Sequence, residues 1–187
     1  MDNKTVCILL IDGFEDVEAL MPADIFKRLG LGVILAGVES TKIRSAHDFY
    51  IATDTLLRDV SVADFDALML PGGLPGAVNL RDSSAVTQII NQAYANKKVC
   101  AAICAAPIVL RDAGIAKDKR ITGYPTTEQL SHSPDFKYTG SDVERDGLII
   151  TAKGMGKAAP FAFEIARALG VTEEKIRDIA ENSFINI

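Results

Sequence analysis

The sequence predicts an α/β sandwich built on a largely parallel sheet. Two observations carry this. Short apolar runs at Val6 to Ile11, Val33 to Ala36, Ala67 to Leu70 and Val99 to Ile103 have the unbroken hydrophobicity of strands buried on both faces. Segments with helical spacing alternate with these runs, the pattern that gives parallel strands joined by crossovers.

Taken in order, the first strand, Val6 to Ile11, leads through Asp12-Gly13 into an acidic run, Glu15-Asp16-Val17-Glu18. Val17, Leu20, Met21, Ile25 and Leu29 then fall on one helical face, and Gly30 closes the helix. Pro22 lies inside that pattern, so a kink or a late restart is expected there. Val33 to Ala36 completes a β-α-β unit. Thr41 to Asp54 reads as an irregular β excursion, and Val60 to Phe65 as a connector. The strand Ala67 to Leu70 ends abruptly at Pro71-Gly72-Gly73. Ser83 to Ala95 is helical, capped by Asp82 or Ser83, with Val86, Ile89, Ile90 and Ala93 turned inward.

Val99 to Ile103 is the next strand, and after Cys104 the pattern becomes helical as far as Gly114. Pro107 falls in the first turn, where a missing N–H is harmless. Cys104 therefore sits on a strand-to-helix corner between the small residues Ala102 and Ala106, the steric requirement of a nucleophile elbow. A helix start behind the thiol is expected to lower its pKa and to offer N–H groups to an anion. Cys7 and Cys100 lie within strands and read as core residues.

Farther on, Arg120 to Pro125 reads as a strand end and turn, and Thr126 to Leu130 as a helical fragment. Lys137 to Arg145 and Leu148 to Lys153 flank Asp146-Gly147, a strong hairpin signal. Helices over Ala158 to Leu169 and Glu173 to Ile179 close the chain.

With 187 residues and 48% hydrophobic content the chain can bury one core, and a single domain over 1–187 is expected. A formal net charge of −5 leaves no basic footprint for nucleic acid. No stretch reaches the ~18 apolar residues of a membrane span. The first apolar run is shorter than the ~7–15 residues of a signal-peptide core. The odd count of three cysteines lacks metal-ligand spacing with His47 or His132, and a reducing cytoplasm is the expected compartment. His132, between Ser131 and Ser133, reads as a surface residue.

Ligands of open parallel sheets sit beyond the C-terminal strand ends. In this chain those ends carry Glu18, Gly72-Gly73 and Cys104. The segments Ile11-Asp-Gly-Phe-Glu-Asp-Val-Glu18, Leu70-Pro-Gly-Gly73 and Ala101-Ala-Ile-Cys-Ala-Ala-Pro107 resemble signature segments of the ThiJ/PfpI superfamily. They are most similar to its parkinsonism-associated deglycase branch and that branch's bacterial relatives. Val143 to Thr151 and Gly154-Met-Gly156 resemble it too, and the order agrees from about residue 5 to 180.

The resemblance implies a flavodoxin-like three-layer sandwich and a homodimer. It implies Cys104 as nucleophile and oxidation-sensitive thiol, Glu18 as a neighbouring protonated acid, and backbone N–H groups of Gly73 and Ala105, beside Gly72, as the anion pocket. It further implies a glyoxalase or deglycase acting on small α-oxoaldehydes or early glycation adducts, with no metal or organic cofactor. The alternative that it offers is a redox sensor or redox-regulated chaperone using the same residues. Three departures stand out. Ala105 replaces the histidine of the protease-like branch, which argues against peptidase activity. Tyr124 stands before Pro125 where several relatives have histidine; it is a poor base but can donate a hydrogen bond to substrate. His47 replaces an arginine expected on the dimer side of the pocket.

Overall fold

The computed structural model describes residues 4–125 and 134–186. Its main sheet has seven strands in the order β10-β11-β7-β6-β1-β2-β5. They are β1 (Thr5–Leu10), β2 (Gly32–Gly37), β5 (Thr55–Leu56), β6 (Ala67–Leu70), β7 (Val99–Ile103), β10 (Val143–Asp146) and β11 (Ile149–Ala152). Every neighbouring pair is parallel except the hairpin β10–β11, which turns at Asp146-Gly147 with Gly147 at φ +64°. Outside the sheet, β3 (Lys42–Arg44) and β4 (Tyr50–Ala52) form a small hairpin, and β8 (Arg120–Ile121) pairs with β9 (Lys137–Tyr138).

Strand residues alternate between two apolar layers although nearly all are apolar. Cys7, Leu9, Leu68, Leu70, Cys100 and Ala102 face α2 (Gly76–Asp82), α3 (Ser84–Ala95) and α4 (Pro107–Asp112). Val6, Ile8, Leu10, Met69, Ala101 and Ile103 face α1 (Asp16–Arg28), α5 (Ala158–Ala168) and α6 (Glu173–Asn182). Val86, Ile89, Ile90 and Ala93 of α3 are buried as their spacing predicts, and Ser83 is the cap. Among the described residues no helix is long and apolar enough to cross a membrane.

Four expectations need correction or completion. The α1 face is rotated: Glu18, Ala19, Pro22, Ile25 and Phe26 are buried, while Leu20 and Met21 are 37% and 41% exposed. The helix turns its acid inward because Glu18 finds a donor at the sheet end. Pro22 neither stops nor restarts α1, which is assigned without a break from Asp16 to Arg28. Helix α2 has no counterpart in the sequence reading, which passes from Pro71-Gly72-Gly73 directly to the helix from Ser83. Helix α4 starts at Pro107 and not directly after Cys104, with a turn at Ala105-Ala106 between. The expected fragment Thr126 to Leu130, and His132, lie outside the described residues.

Candidate active site

Cys104 stands where β7 leaves the sheet, with φ +64°. A side-chain-bearing residue in that region costs roughly 1–3 kcal/mol and persists only where its surroundings dictate it. Three hydrogen bonds do so. The Cys104 N–H donates to the Ala152 carbonyl at 2.9 Å, the Tyr124 N–H to the Cys104 carbonyl at 2.7 Å, and the Ala106 N–H to the Ile103 carbonyl at 3.0 Å. Ala102, Ala105 and Ala106 are buried around the corner, where larger side chains would block the turn.

Glu18, in the first turn of α1, is only 1% exposed and meets the thiol. Its Oε2 accepts the Gly72 N–H at 2.9 Å, and the Met155 N–H also reaches the carboxyl. Gly72 is held there by crowding. A Cβ on it would lie 2.6 Å from Glu18 Oε2 and 2.7 Å from Cys104 Cβ. Gly154 closes the other side, its Cβ position 3.6 Å from Glu18 Oε1 and 3.7 Å from Cys104 Sγ.

Burial dominates the proton chemistry. It raises Glu18 from its ordinary 4.5 to about 7; the Glu15 carboxylate adds to the rise, while hydrogen bonds from Cys104, Gly72 and Met155 oppose it. Burial likewise pushes the Cys104 thiol up to about 12, followed by the charge of Glu18 and its hydrogen bond; the Ala105 and Gly73 N–H groups pull it down. This corrects the expectation of a thiol lowered by a helix start. The donors act in the expected sense, but α4 is only six residues long and burial outweighs them. The push from Glu18 exists only while Glu18 is ionised. Once the proton moves to Glu18, the contact becomes an O–H donated to sulfur and favours the thiolate. The two groups titrate as one unit.

The remaining expected residues divide. Gly73, at φ +91°, and Ala105 direct N–H groups at the sulfur. Gly72 does not offer its N–H to an oxyanion, because Glu18 accepts it. Tyr124 is 48% exposed, and its tie to the elbow is made by its backbone. His47 lies in the β3–β4 turn with its side chain 62% exposed, its Nδ1 at 2.5 Å from Asp16 Oδ2. The Asp16 hydrogen bond raises the His47 pKa. Burial pushes Asp16 up, yet the Ser45 hydroxyl and His47 hold it below the usual carboxylate range. Glu15, Asp16 and His47 bring ligand atoms within 4.8 Å of one another. Those groups are engaged already, Glu15 with the Glu18 N–H and Asp16 with His47, and no metal is assigned to them.

Two contributors escaped the sequence reading: the Met155 N–H and the Glu15 side chain. A backbone donor has no side-chain signature, and only the glycines flanking Met155 hinted at a close approach.

Comparison with known proteins agrees over nearly the whole chain. The model of the DJ-1/PfpI family matches residues 4–168. Protein dj-1beta of Drosophila melanogaster is 34% identical over 185 residues, 98% of each chain. Its crystal structure superposes with a TM-score of 0.93 at 33% identity, covering 99% of this chain and 100% of that one. A Caenorhabditis elegans protein named glutathione-independent glyoxalase DJR-1.2 is 31% identical over 168 residues, 89% of each chain.

Proposed function

The chain belongs to the DJ-1/PfpI family, and from that premise we propose that it is a cysteine-dependent glyoxalase or deglycase acting on small α-oxoaldehydes or their early adducts. One observation carries the reading: a buried carboxyl with a pKa of about 7 touches a thiol toward which two backbone N–H groups point. A base poised near the working pH is what removal of a thiol proton during attack requires.

With methylglyoxal, Cys104 Sγ attacks the aldehyde carbon while Glu18 takes the thiol proton. The new C–S bond leaves a hemithioacetal oxyanion facing the Gly73 and Ala105 N–H groups. Glu18 returns the thiol proton to that oxyanion, and its freed carboxylate then carries the aldehyde C–H proton to the ketone carbon while the hydroxyl proton passes to the ketone oxygen. The first is oxidised to a thioester and the second is reduced to an alcohol, so no external oxidant enters. Water then cleaves the thioester to lactate and returns the thiol.

Purified protein treated with a chelator should convert methylglyoxal to lactate. Absence of lactate, with Cys104 taken to a sulfinate by mild peroxide, would favour the redox-sensor reading instead.

We also infer a homodimer formed by the outer face of α1 and the β3–β4 hairpin. Leu20, Met21, Phe49 and Tyr50 are exposed there. The hairpin is tied to the head of α1 by the Ala46 N–H donating to the Phe14 carbonyl and by His47 with Asp16. Sedimentation at micromolar concentration should give twice the chain mass, and a monomer would remove this inference.

A further inference from the structure

Glu15 is the N-cap of α1, and glutamate is an uncommon choice for it; Ser, Thr, Asp and Asn cap better. We propose that Glu15 is a positioning residue for the Cys104–Glu18 pair, closing a ring of three hydrogen bonds that fixes the Glu18 carboxyl. Its Oε2 accepts the Glu18 N–H at 2.7 Å. Its own N–H donates to the Gly72 carbonyl at 3.0 Å. The Gly72 N–H closes the ring on Glu18 Oε2 at 2.9 Å. Each of the three residues is bonded to the other two, so the start of α1 and the loop after β6 cannot shift independently. Gly73 presses on the same point: a Cβ there would lie 2.5 Å from the Glu15 nitrogen. Glu15 thereby also locates the residue whose N–H reaches the sulfur.

The carboxylate does more than cap. It is a negative charge beside Glu18 and makes the second acid harder to ionise. Other charges around Glu18 are few. Cys104 faces it from the elbow, and the loops at Gly72 and at Gly154-Met155 present backbone. Lys153 and Lys157 flank the latter loop and are held by Asp142. Asp16, next along α1, is paired with His47. On α5, packed against α1, Glu164 is paired with Arg145 and Arg167. Among the described residues, Glu15 is thus the carboxylate whose charge bears on Glu18.

The inference concerns the site of the proposed function, yet its test needs no turnover, so a negative lactate assay leaves it standing. In the full chain, the Glu18 carboxyl carbon is followed by NMR from pH 4 to 9, in the parent, in Glu15→Gln and in Glu15→Ser. Gln keeps an acceptor for the Glu18 N–H without the charge; Ser is a good cap that cannot supply the charge. Both should lower the Glu18 midpoint by about half a unit, which takes its protonated fraction at pH 7 from about a half to about a quarter. Alkylation of Cys104 at pH 7 should slow in parallel. If Glu15 is only a helix cap, Ser preserves stability and the titration curves superimpose; that result in either variant overturns the proposal.

Discussion

Cys100 and Cys104 stand on one strand and its exit, and burial pushes both thiols up to about 12. The agreement hides a difference in cause. Cys100 lies inside β7 on the α3 side, and burial alone raises it. Its sulfur reaches the Lys98 carbonyl at 3.8 Å. Cys104 has burial too, but part of its rise comes from Glu18, and two N–H groups oppose it. A rise caused by desolvation persists while the fold persists. A rise caused by a neighbouring carboxylate vanishes when that neighbour takes the proton. Reactivity at this sheet end therefore depends on what surrounds the thiol, beyond how far its pKa is shifted.

The comparison is sharpened first by removing each sulfur. Cys104→Ser should lower methylglyoxal turnover by at least about a hundredfold. Cys100→Ala should leave turnover within about twofold while costing on the order of 1 kcal/mol in stability, since it deletes one buried atom. Equal losses of activity would erase the distinction.

A smaller effect is expected from the wall between the two acids. The Cβ of Gly72→Ala would lie 2.9 Å or less from Glu18 Oε2, Cys104 Cβ and the Ile103 carbonyl, none of which can retreat freely. Overpacking of this kind costs about 1–3 kcal/mol. Gly156→Ala, whose Cβ meets open space, should stay within about 0.5 kcal/mol. Urea midpoints of the two variants read this difference directly.

The last effect is read as a slope. Glu18 holds its proton in the fold up to about 7, against an ordinary 4.5. Below pH 4.5 folded and unfolded chains both carry the proton, and its contribution is fully present. As pH rises toward 7 the unfolded chain releases a proton that the fold retains, so stability falls, then levels off. Glu18→Gln should flatten that part of the profile. An unchanged slope would place the titration elsewhere.

Much of this arrangement is legible in the sequence, for reasons that can be named. The run Val99 to Ile103 followed by Cys104 between small residues, with Pro107 next, permits little other than a strand and a tight corner. Asp146-Gly147 marks its hairpin through turn chemistry alone. The face of α1 is not legible, because apolar spacing favours Leu20 and Met21 for the core, whereas a donor at Gly72 draws Glu18 inward. Helix α2 is hidden for the opposite reason: Pro75 and Gly76 are turn formers that here open a helix. The protonation balance is illegible too. Position suggests a helix start that lowers a thiol, and only burial and the Glu18 contact show that desolvation wins.

The central claim is that Cys104 differs from Cys100 because its proton has somewhere to go. Brief iodoacetamide treatment of the native protein at pH 7, followed by peptide mapping, tests it most directly. Cys104 should be captured at least about a hundredfold faster than Cys100 and Cys7, and Glu18→Gln should remove most of that advantage. Comparable labelling of Cys100 and Cys104, or an advantage that survives intact in Glu18→Gln, would contradict the account.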